Sequence, residues 1–137
     1  MASRPKGVAL ALIVGGLIML VENIAVDIVR GQTPFADGSL GFIDTPEGAA
    51  FHLAIASVPM LALALSGVTR RWPWAIAILL PSCFAAFAVC QLWRDSLTGF
   101  AGGANIGLGL IMMASPFITL GVIGGIALAV RFLPRAR

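Results

Sequence analysis

The chain has 137 residues, of which 59% are hydrophobic and only 11% are charged. An average soluble domain has about 25% charged residues, so this composition excludes that class and indicates a membrane protein. The net charge of +3 does not indicate nucleic-acid binding, because the basic residues fall in short clusters beside apolar stretches, where membrane topology accounts for them.

Four apolar stretches are long enough to cross the hydrocarbon core of a bilayer, which is about 30 Å thick and requires roughly 20 helical residues. The one sizeable loop between them covers residues 31–47. The stretches cover residues 7–29, 48–68, 72–93 and 105–130. We therefore predict an all-α membrane protein, a four-transmembrane-helix bundle that forms a single domain over residues 1–137.

The first span ends in polar residues, namely Glu22, Asn23, Asp27 and Arg30. Glu22 is the deepest of them, about 12 Å along the helix from Arg30, so we expect it to point into the bundle or a wet cavity and to find a partner. Gly15 lies two turns earlier on the same face and marks a side where another helix packs closely. Asp27 and Arg30 are spaced to pair on the helix surface.

The end of the loop predicts the start of the second helix. Asp44 or Thr45 is the expected N-cap, Pro46 lies in the first turn, and Glu47 faces the positive end of the helix dipole. We therefore interpret Asp44 and Glu47 as capping residues. About one turn further on lies His52, the only histidine of the chain.

Each of the last three spans contains an internal proline: Pro59, Pro81 and Pro116. Proline lacks an amide proton and clashes with the carbonyl four residues earlier, so we expect kinks in helices 2, 3 and 4. Such kinks suit a cavity or a hinge, although proline is also simply tolerated in membrane helices. Neighbouring hydroxyls can satisfy the freed carbonyls, and they belong to Ser57, Ser82 and Ser115.

Small residues recur along one side of the fourth span. They are Gly107, Ala114, Gly121 and Gly125, and the last two also form a G-x-x-x-G. Such a face lets another helix approach to backbone contact, either within the bundle or in an assembly.

The basic residues predict the orientation of the chain in the membrane. The loop at residues 31–47 is mainly acidic, so the positive-inside rule places both termini in the cytoplasm and this loop outside, in the cell (inner) membrane. The basic clusters precede the first span, separate the second from the third, and follow the fourth: Arg4 and Lys6; Arg70 and Arg71; Arg131, Arg135 and Arg137.

With this orientation the polar residues of the spans gather at the outer side. The candidate ligand- or ion-binding residues are Glu22, Asn23, Asp27, His52, Gln91 and Asn105, with Arg30 and Arg94 as rim charges. In a structural interpretation, His52 and Gln91 donate hydrogen bonds to Glu22 and tie the bundle together. In a functional interpretation, Glu22 is a proton or cation switch and His52 a second titrating group beside a pocket.

Two functions follow from these patterns. The first is an accessory or assembly subunit of a membrane complex, which packs on another membrane protein or on a second copy of itself within the lipid bilayer. The alternative is a small solute or ion-coupled transporter in which Glu22 is the coupling or binding carboxylate. We expect no enzyme, metal or cofactor, because the sequence has a single histidine, no metal-binding spacing, no nucleophile elbow and no phosphate loop.

Overall fold

The computed structural model describes residues 4–36, 38, 40–98 and 106–132. These residues form four α-helices: α1 (Arg4–Val29), α2 (Pro46–Ser66), α3 (Arg71–Leu97) and α4 (Ile106–Phe132). Each helix is long and apolar enough to cross a membrane, which confirms the predicted all-α fold with four candidate spans. The helix bounds differ from the predicted apolar stretches by up to four residues. The largest difference is at the end of α3, which stays helical to Leu97 through polar residues that hydropathy assigns to a loop, whereas α2 ends at Ser66, before the predicted end at residue 68.

The helices are arranged with α2 and α3 between α1 and α4. Both α1 and α4 pack on α2 and on α3, whereas within the described residues α1 and α4 have no close backbone contact with each other. The core draws on all four helices, and its fully buried members include Ala11, Met60, Leu63, Ala77 and Ile123. Accordingly, α1 and α4 form opposite flanks of the bundle.

Glycines bring α1 close to α2. A Cβ atom added at Gly15 would lie 2.7 Å from the Cβ of Ser57 and 3.0 Å from its Cα. At Gly7, an added Cβ would lie 3.2 Å from the Cβ of Ala64, and Ala11 between the two glycines is fully buried. The prediction that Gly15 marks a closely packed side of the first span is confirmed.

Local signals mark both ends of α2. The hydroxyl of Thr45 accepts a hydrogen bond from the N–H of Gly48 at 3.1 Å. Of the two predicted N-cap candidates, Asp44 and Thr45, the N-cap is therefore Thr45. At the other end Gly67 has a φ of +69°, the left-handed conformation that commonly ends a helix. The short connection to α3 is then fixed by the indole N–H of Trp74, which donates to the carbonyl of Val68 at 2.9 Å.

The three internal prolines lie inside α2, α3 and α4, as the sequence requires. In α4 the hydroxyl of Ser115 donates at 2.8 Å to the carbonyl of Met112, which is the carbonyl that Pro116 leaves without its usual amide partner. The serines beside Pro59 and Pro81 donate instead to the carbonyls one turn before themselves. The predicted role of the serines is thus confirmed in α4 alone, and the kinks stay a prediction.

The contact between α1 and α2 predicts different results for two adjacent glycines. Gly15→Ala should lower the free energy of unfolding by about 1–3 kcal/mol, because its Cβ would overlap Ser57. Gly16→Ala is the matched control, since its Cβ would lie 3.9 Å from the nearest atom, Cδ1 of Leu53. Unfolding in detergent, followed by circular dichroism, measures both. Equal stability of the two variants would contradict the close packing of Gly15.

Candidate functional site

The loop between α1 and α2 contains a tight turn, residues 40–43, here called the Leu40–Ile43 turn. The N–H groups of Leu40 and Ile43 each donate to the carbonyl of the other at 2.8 Å. Gly41 has a φ of +60°, which glycine adopts far more readily than any residue with a side chain. Because Leu40 is buried, the turn lies against the bundle.

Asn23 and Asp27 of α1 hold this turn through its backbone. The N–H of Phe42 donates to Oδ1 of Asn23 at 2.8 Å, and the N–H of Gly41 donates to Oδ1 of Asp27 at 2.9 Å. The amide group of Asn23 also donates to the carbonyl of Met19 at 2.8 Å. Asn23 is completely buried and Asp27 is 5% exposed, so these bonds satisfy polar groups that would otherwise be costly to bury.

Aromatic contacts connect the Leu40–Ile43 turn to α2. The guanidinium of Arg30 donates to the carbonyl of Gly41 at 3.1 Å, and its Cζ lies 5.0 Å from the centre of the Phe42 ring. On α2, the ring of His52 stacks on Phe42 with centroids 5.9 Å apart and planes 11° apart. Phe51 meets His52 edge-on at 6.0 Å. Phe42 therefore contacts both the guanidinium of Arg30, the residue that follows α1, and the imidazole of His52 on α2.

Three of the predicted site residues bind the loop between α1 and α2 in the structure. Asp27 and Arg30, which were predicted to pair on the helix surface, both bind Gly41: Asp27 accepts from its N–H and Arg30 donates to its carbonyl. Asn23 binds the next residue of the turn. The polar end of α1 is thus largely explained by the loop that follows it, with the exception of Glu22.

Glu22 faces a small cavity to which all four helices contribute. The cavity has a volume of about 30 Å³, which is room for about one or two water molecules. His52 of α2 is the other ionisable residue among those that line it. The lining comprises Ile18, Glu22, His52, Ile55, Ala56, Pro81, Phe84, Ala85, Met112, Ser115 and Thr119.

The side chain of Glu22 differs from those of Asn23 and Asp27 in having no hydrogen-bond partner among the described residues. It is half-buried, yet within the described residues no hydrogen bond to it is found. His52 lines the same cavity as Glu22, and its ring contacts Phe42 and Phe51. The structure therefore brings Glu22 and His52 together around one cavity without tying them by a hydrogen bond.

A wider groove adjoins the cavity between α1 and α3. Its volume is about 460 Å³, and Ile18, Glu22 and Ala85 line both the groove and the cavity. Glu22 thus lies at the boundary between the two spaces. The groove is lined by Leu17, Ile18, Val21, Glu22 and Ala25 of α1 and by Ser82, Ala85, Ala86, Val89 and Cys90 of α3.

The remaining predicted site residues are separate from this cavity or outside the described part. Gln91 on α3 is half-buried, and within the described residues its Oε1 is buried without a hydrogen-bond partner. It does not line the cavity with Glu22. Arg94 is exposed, and Asn105 lies outside the described residues.

Two hydroxyl groups of α4 line the cavity. The sequence named Ser115 only as a partner for the carbonyl freed by Pro116, and it did not single out Thr119. Ser115 and Thr119 are buried, at 3% and 2% exposure. Their hydroxyls donate within the helix, to the carbonyls of Met112 at 2.8 Å and Pro116 at 3.0 Å. The signal for them was their i, i+4 spacing around Pro116, which places both on one face of the helix.

The small-residue side of α4 faces away from the other helices of this chain. A Cβ added at Gly121 or Gly125 would meet no described atom within 4 Å, and Gly107 is exposed. Ala114 is half-buried. Of the two settings that the sequence left open for this face, packing inside the bundle is not what the described residues show.

The attachment of the turn predicts contrasting effects for two loop glycines. Gly41→Ala should raise hydrogen exchange at residues 41 and 42 about tenfold or more, equivalent to roughly 1.4 kcal/mol. The added Cβ would lie 2.6 Å from Oδ1 of Asn23 and so displaces the turn. Gly38→Ala is the control: its φ of +73° is similarly strained, but no described atom lies within 4 Å. Unchanged exchange at residues 41 and 42 in Gly41→Ala would contradict the attachment.

No protein-family model, curated protein or solved structure matches this chain. Among the described residues, no group of three or more His, Cys, Asp or Glu side chains is placed to hold a metal ion. The features that bear on function are therefore those of the chain itself. They are the Glu22 carboxylate at the junction of a cavity and a groove, and the glycine face of α4, neither of which has a partner among the described residues.

Proposed function

We propose that the protein is a small ion-coupled carrier in which Glu22 is the carboxylate that binds the coupling ion or the solute. The observation that carries this proposal is the position of Glu22, half-buried at a cavity lined by all four helices and without a hydrogen-bond partner among the described residues. An ionisable residue within a membrane span is costly, so it is a candidate functional residue by default.

The neighbours of Glu22 strengthen this proposal by contrast. Asn23 and Asp27 lie on the same part of α1, and their side chains are satisfied by backbone groups of the Leu40–Ile43 turn. Glu22, which is half-buried, has no such partner among the described residues. An unpaired carboxylate is suited instead to an exchangeable partner, such as a proton or a cation.

A carrier must also change shape, and the prolines provide a basis for that. Pro81 lines the cavity beside Glu22, and Pro59 and Pro116 lie inside α2 and α4. Proline removes one hydrogen bond of the helix and favours a bend at that point. We therefore propose that α2, α3 and α4 bend at their prolines and expose the cavity alternately. Binding and transport, rather than catalysis, is the proposed activity.

The proposed orientation puts both chain termini in the cytoplasm and the Leu40–Ile43 turn outside, in the cell (inner) membrane. It is supported by the basic clusters at residues 4–6, 70–71 and 131–137. Arg4 and Arg71 line one depression at the same end of the bundle. Glu22 then lies toward the outer side, beneath the turn that Asn23 and Asp27 hold.

A second candidate is an accessory or assembly subunit, and the uncovered face of α4 favours it. Small residues on a membrane helix let a second helix come into backbone contact. Gly121 and Gly125 are placed for this, because no described atom of the chain would contact a Cβ at either position. The partner on this face would be another membrane protein or a second copy of the chain.

The carrier proposal predicts that Glu22→Gln abolishes ion-coupled transport while the protein still folds. Glutamine keeps the size and polarity of the side chain but cannot bind a proton or hold a negative charge. Currents of proteoliposomes on a solid-supported membrane after a pH jump give the measurement, with circular dichroism as the test of folding. Glu47→Gln, at the exposed start of α2, is the control and should behave like the unmodified protein. Full currents in Glu22→Gln would refute the carrier proposal.

The assembly proposal predicts a different set of sensitive residues. Leucine at both Gly121 and Gly125 should dissociate a complex, since the added side chains keep a second helix from backbone contact. Val122→Leu, at a neighbouring exposed position, is the control for added bulk. The mass of the particle purified in mild detergent gives the measurement. Under this proposal Glu22→Gln leaves the assembly intact, and an unchanged particle mass in the double glycine variant argues against it.

A further inference from the structure

We infer that the groove between α1 and α3 binds a lipophilic cation that arrives from the bilayer and whose charge is held by Glu22. This inference rests on the proposed function, since it names the class of solute that the Glu22 site takes. It is carried by the juxtaposition of an apolar groove of about 460 Å³ with a single carboxylate at its inner boundary.

The dimensions and walls of the groove suit an organic molecule. Binding sites for small molecules commonly have volumes of about 300–1,000 Å³ and mainly apolar walls with a few polar groups. On α1 the walls are formed by Leu17, Val21 and Ala25, and on α3 they include Ala86 and Val89. A hydrated inorganic ion would lose its water against such walls without compensation, so the groove favours an apolar body.

The charge of the groove selects a cation. Glu22 is the only Asp, Glu, Lys or Arg among the described residues that line it. The two other polar side chains there are Ser82 and Cys90, and the hydroxyl of Ser82 already donates to the carbonyl of Ile78 at 2.8 Å. A neutral ligand would leave the ionised carboxylate without a counter-ion, and an anion would be repelled by it, whereas a cation provides a partner that no described residue supplies.

The route to the groove is lateral. Leu17 and Val21 form its rim on α1 and are 55% and 65% exposed, on a surface that faces lipid when the helices span a membrane. The end of α1 beyond Glu22 is occupied by the Leu40–Ile43 turn and its contacts with Asn23 and Asp27. An amphiphile that partitions into the bilayer therefore reaches the carboxylate between α1 and α3.

When the cation binds, it takes the place of a proton on the carboxyl group of Glu22. The cation and a proton compete for the same carboxylate: where Glu22 carries a proton, that proton passes to water as the cation pairs with the carboxylate, so the net charge of the site is unchanged. The titratable groups that share these linings with Glu22 are His52 from α2 and Cys90 from α3. The cavity lining from α4, Met112, Ser115 and Thr119, is uncharged. The cation occupies the groove side of Glu22.

Two ions of the same shape and opposite charge test the inference on the full-length protein in lipid nanodiscs. Equilibrium dialysis should show saturable binding of tetraphenylphosphonium with release of one proton, and no saturable binding of tetraphenylborate. Tetramethylammonium, which has the charge without the apolar body, should bind at least about tenfold more weakly. Glu22→Gln should weaken tetraphenylphosphonium binding about tenfold or more, the equivalent of roughly 1.4 kcal/mol.

Variants of α3 locate the site. Val89→Trp fills the groove and should abolish tetraphenylphosphonium binding, while Val89→Leu should weaken it less. Leu79→Trp, at a position that is 59% exposed and outside the groove lining, should bind normally. Circular dichroism and size-exclusion chromatography verify that each variant is folded, and the leucine variant provides the result if the tryptophan variant fails to fold.

The outcomes separate this inference from the function on which it rests. Equal binding of tetraphenylborate, or full binding of tetraphenylphosphonium by a folded Val89→Trp, overturns the groove as a cation site. Absence of tetraphenylphosphonium binding, together with pH-jump currents that Glu22→Gln abolishes, overturns the solute class but leaves the carrier proposal standing. Normal currents in Glu22→Gln overturn the carrier proposal itself.

Discussion

The backbone N–H groups of Gly41 and Phe42 organise the C-terminal end of α1. They donate to Asp27 and Asn23, which are buried in α1 and would otherwise carry unsatisfied oxygens at a cost of about 1–3 kcal/mol each. The same two hydrogen bonds hold the turn against α1 and place the ring of Phe42 in stacking contact with His52. Since His52 lines the cavity with Glu22, the geometry of that cavity depends on a loop whose described residues contribute no side chain to its lining.

The four helices were predictable because a membrane protein leaves the backbone few alternatives. A helix satisfies all its own amide and carbonyl groups, so a long apolar run that spans hydrocarbon becomes a helix whatever its tertiary contacts are. The start of α2 was predictable for a similarly local reason, since Thr45 accepts from an amide only three residues on. The attachment of the turn was not predictable from the sequence, because Asn23 and Asp27 bind backbone amides, and every residue except proline has one.

The glycine patterns show the same limit. Gly15 on α1 and Gly121 on α4 belong to similar rows of small residues, and in both the sequence predicts a close approach of another helix. In the structure Gly15 lies against Ser57, whereas Gly121 has no described atom within 4 Å of an added Cβ. A row of small residues indicates that another helix can approach. Whether that helix belongs to the same chain depends on the arrangement of the bundle, in which α1 and α4 lie on opposite flanks. In the same way, the depth of Glu22 in its span singled it out, but only the fold brings Ser115 and Thr119 to its cavity.

The two candidate functions use different surfaces and are therefore compatible. The groove that reaches Glu22 is formed by α1 and α3, so a partner on the glycine face of α4 would leave its lining uncovered. Substitutions on the two surfaces should affect stability independently, since they share no contacts. Activity is a different matter, because α4 also presents Ser115 and Thr119 to the cavity. A helix packed on Gly121 and Gly125 would restrict the movement of α4 at Pro116, and the wall of the cavity opposite Glu22 would be restricted with it. In such an assembly the partner would act on the carboxylate through α4, without touching the groove that is proposed to bind the cation.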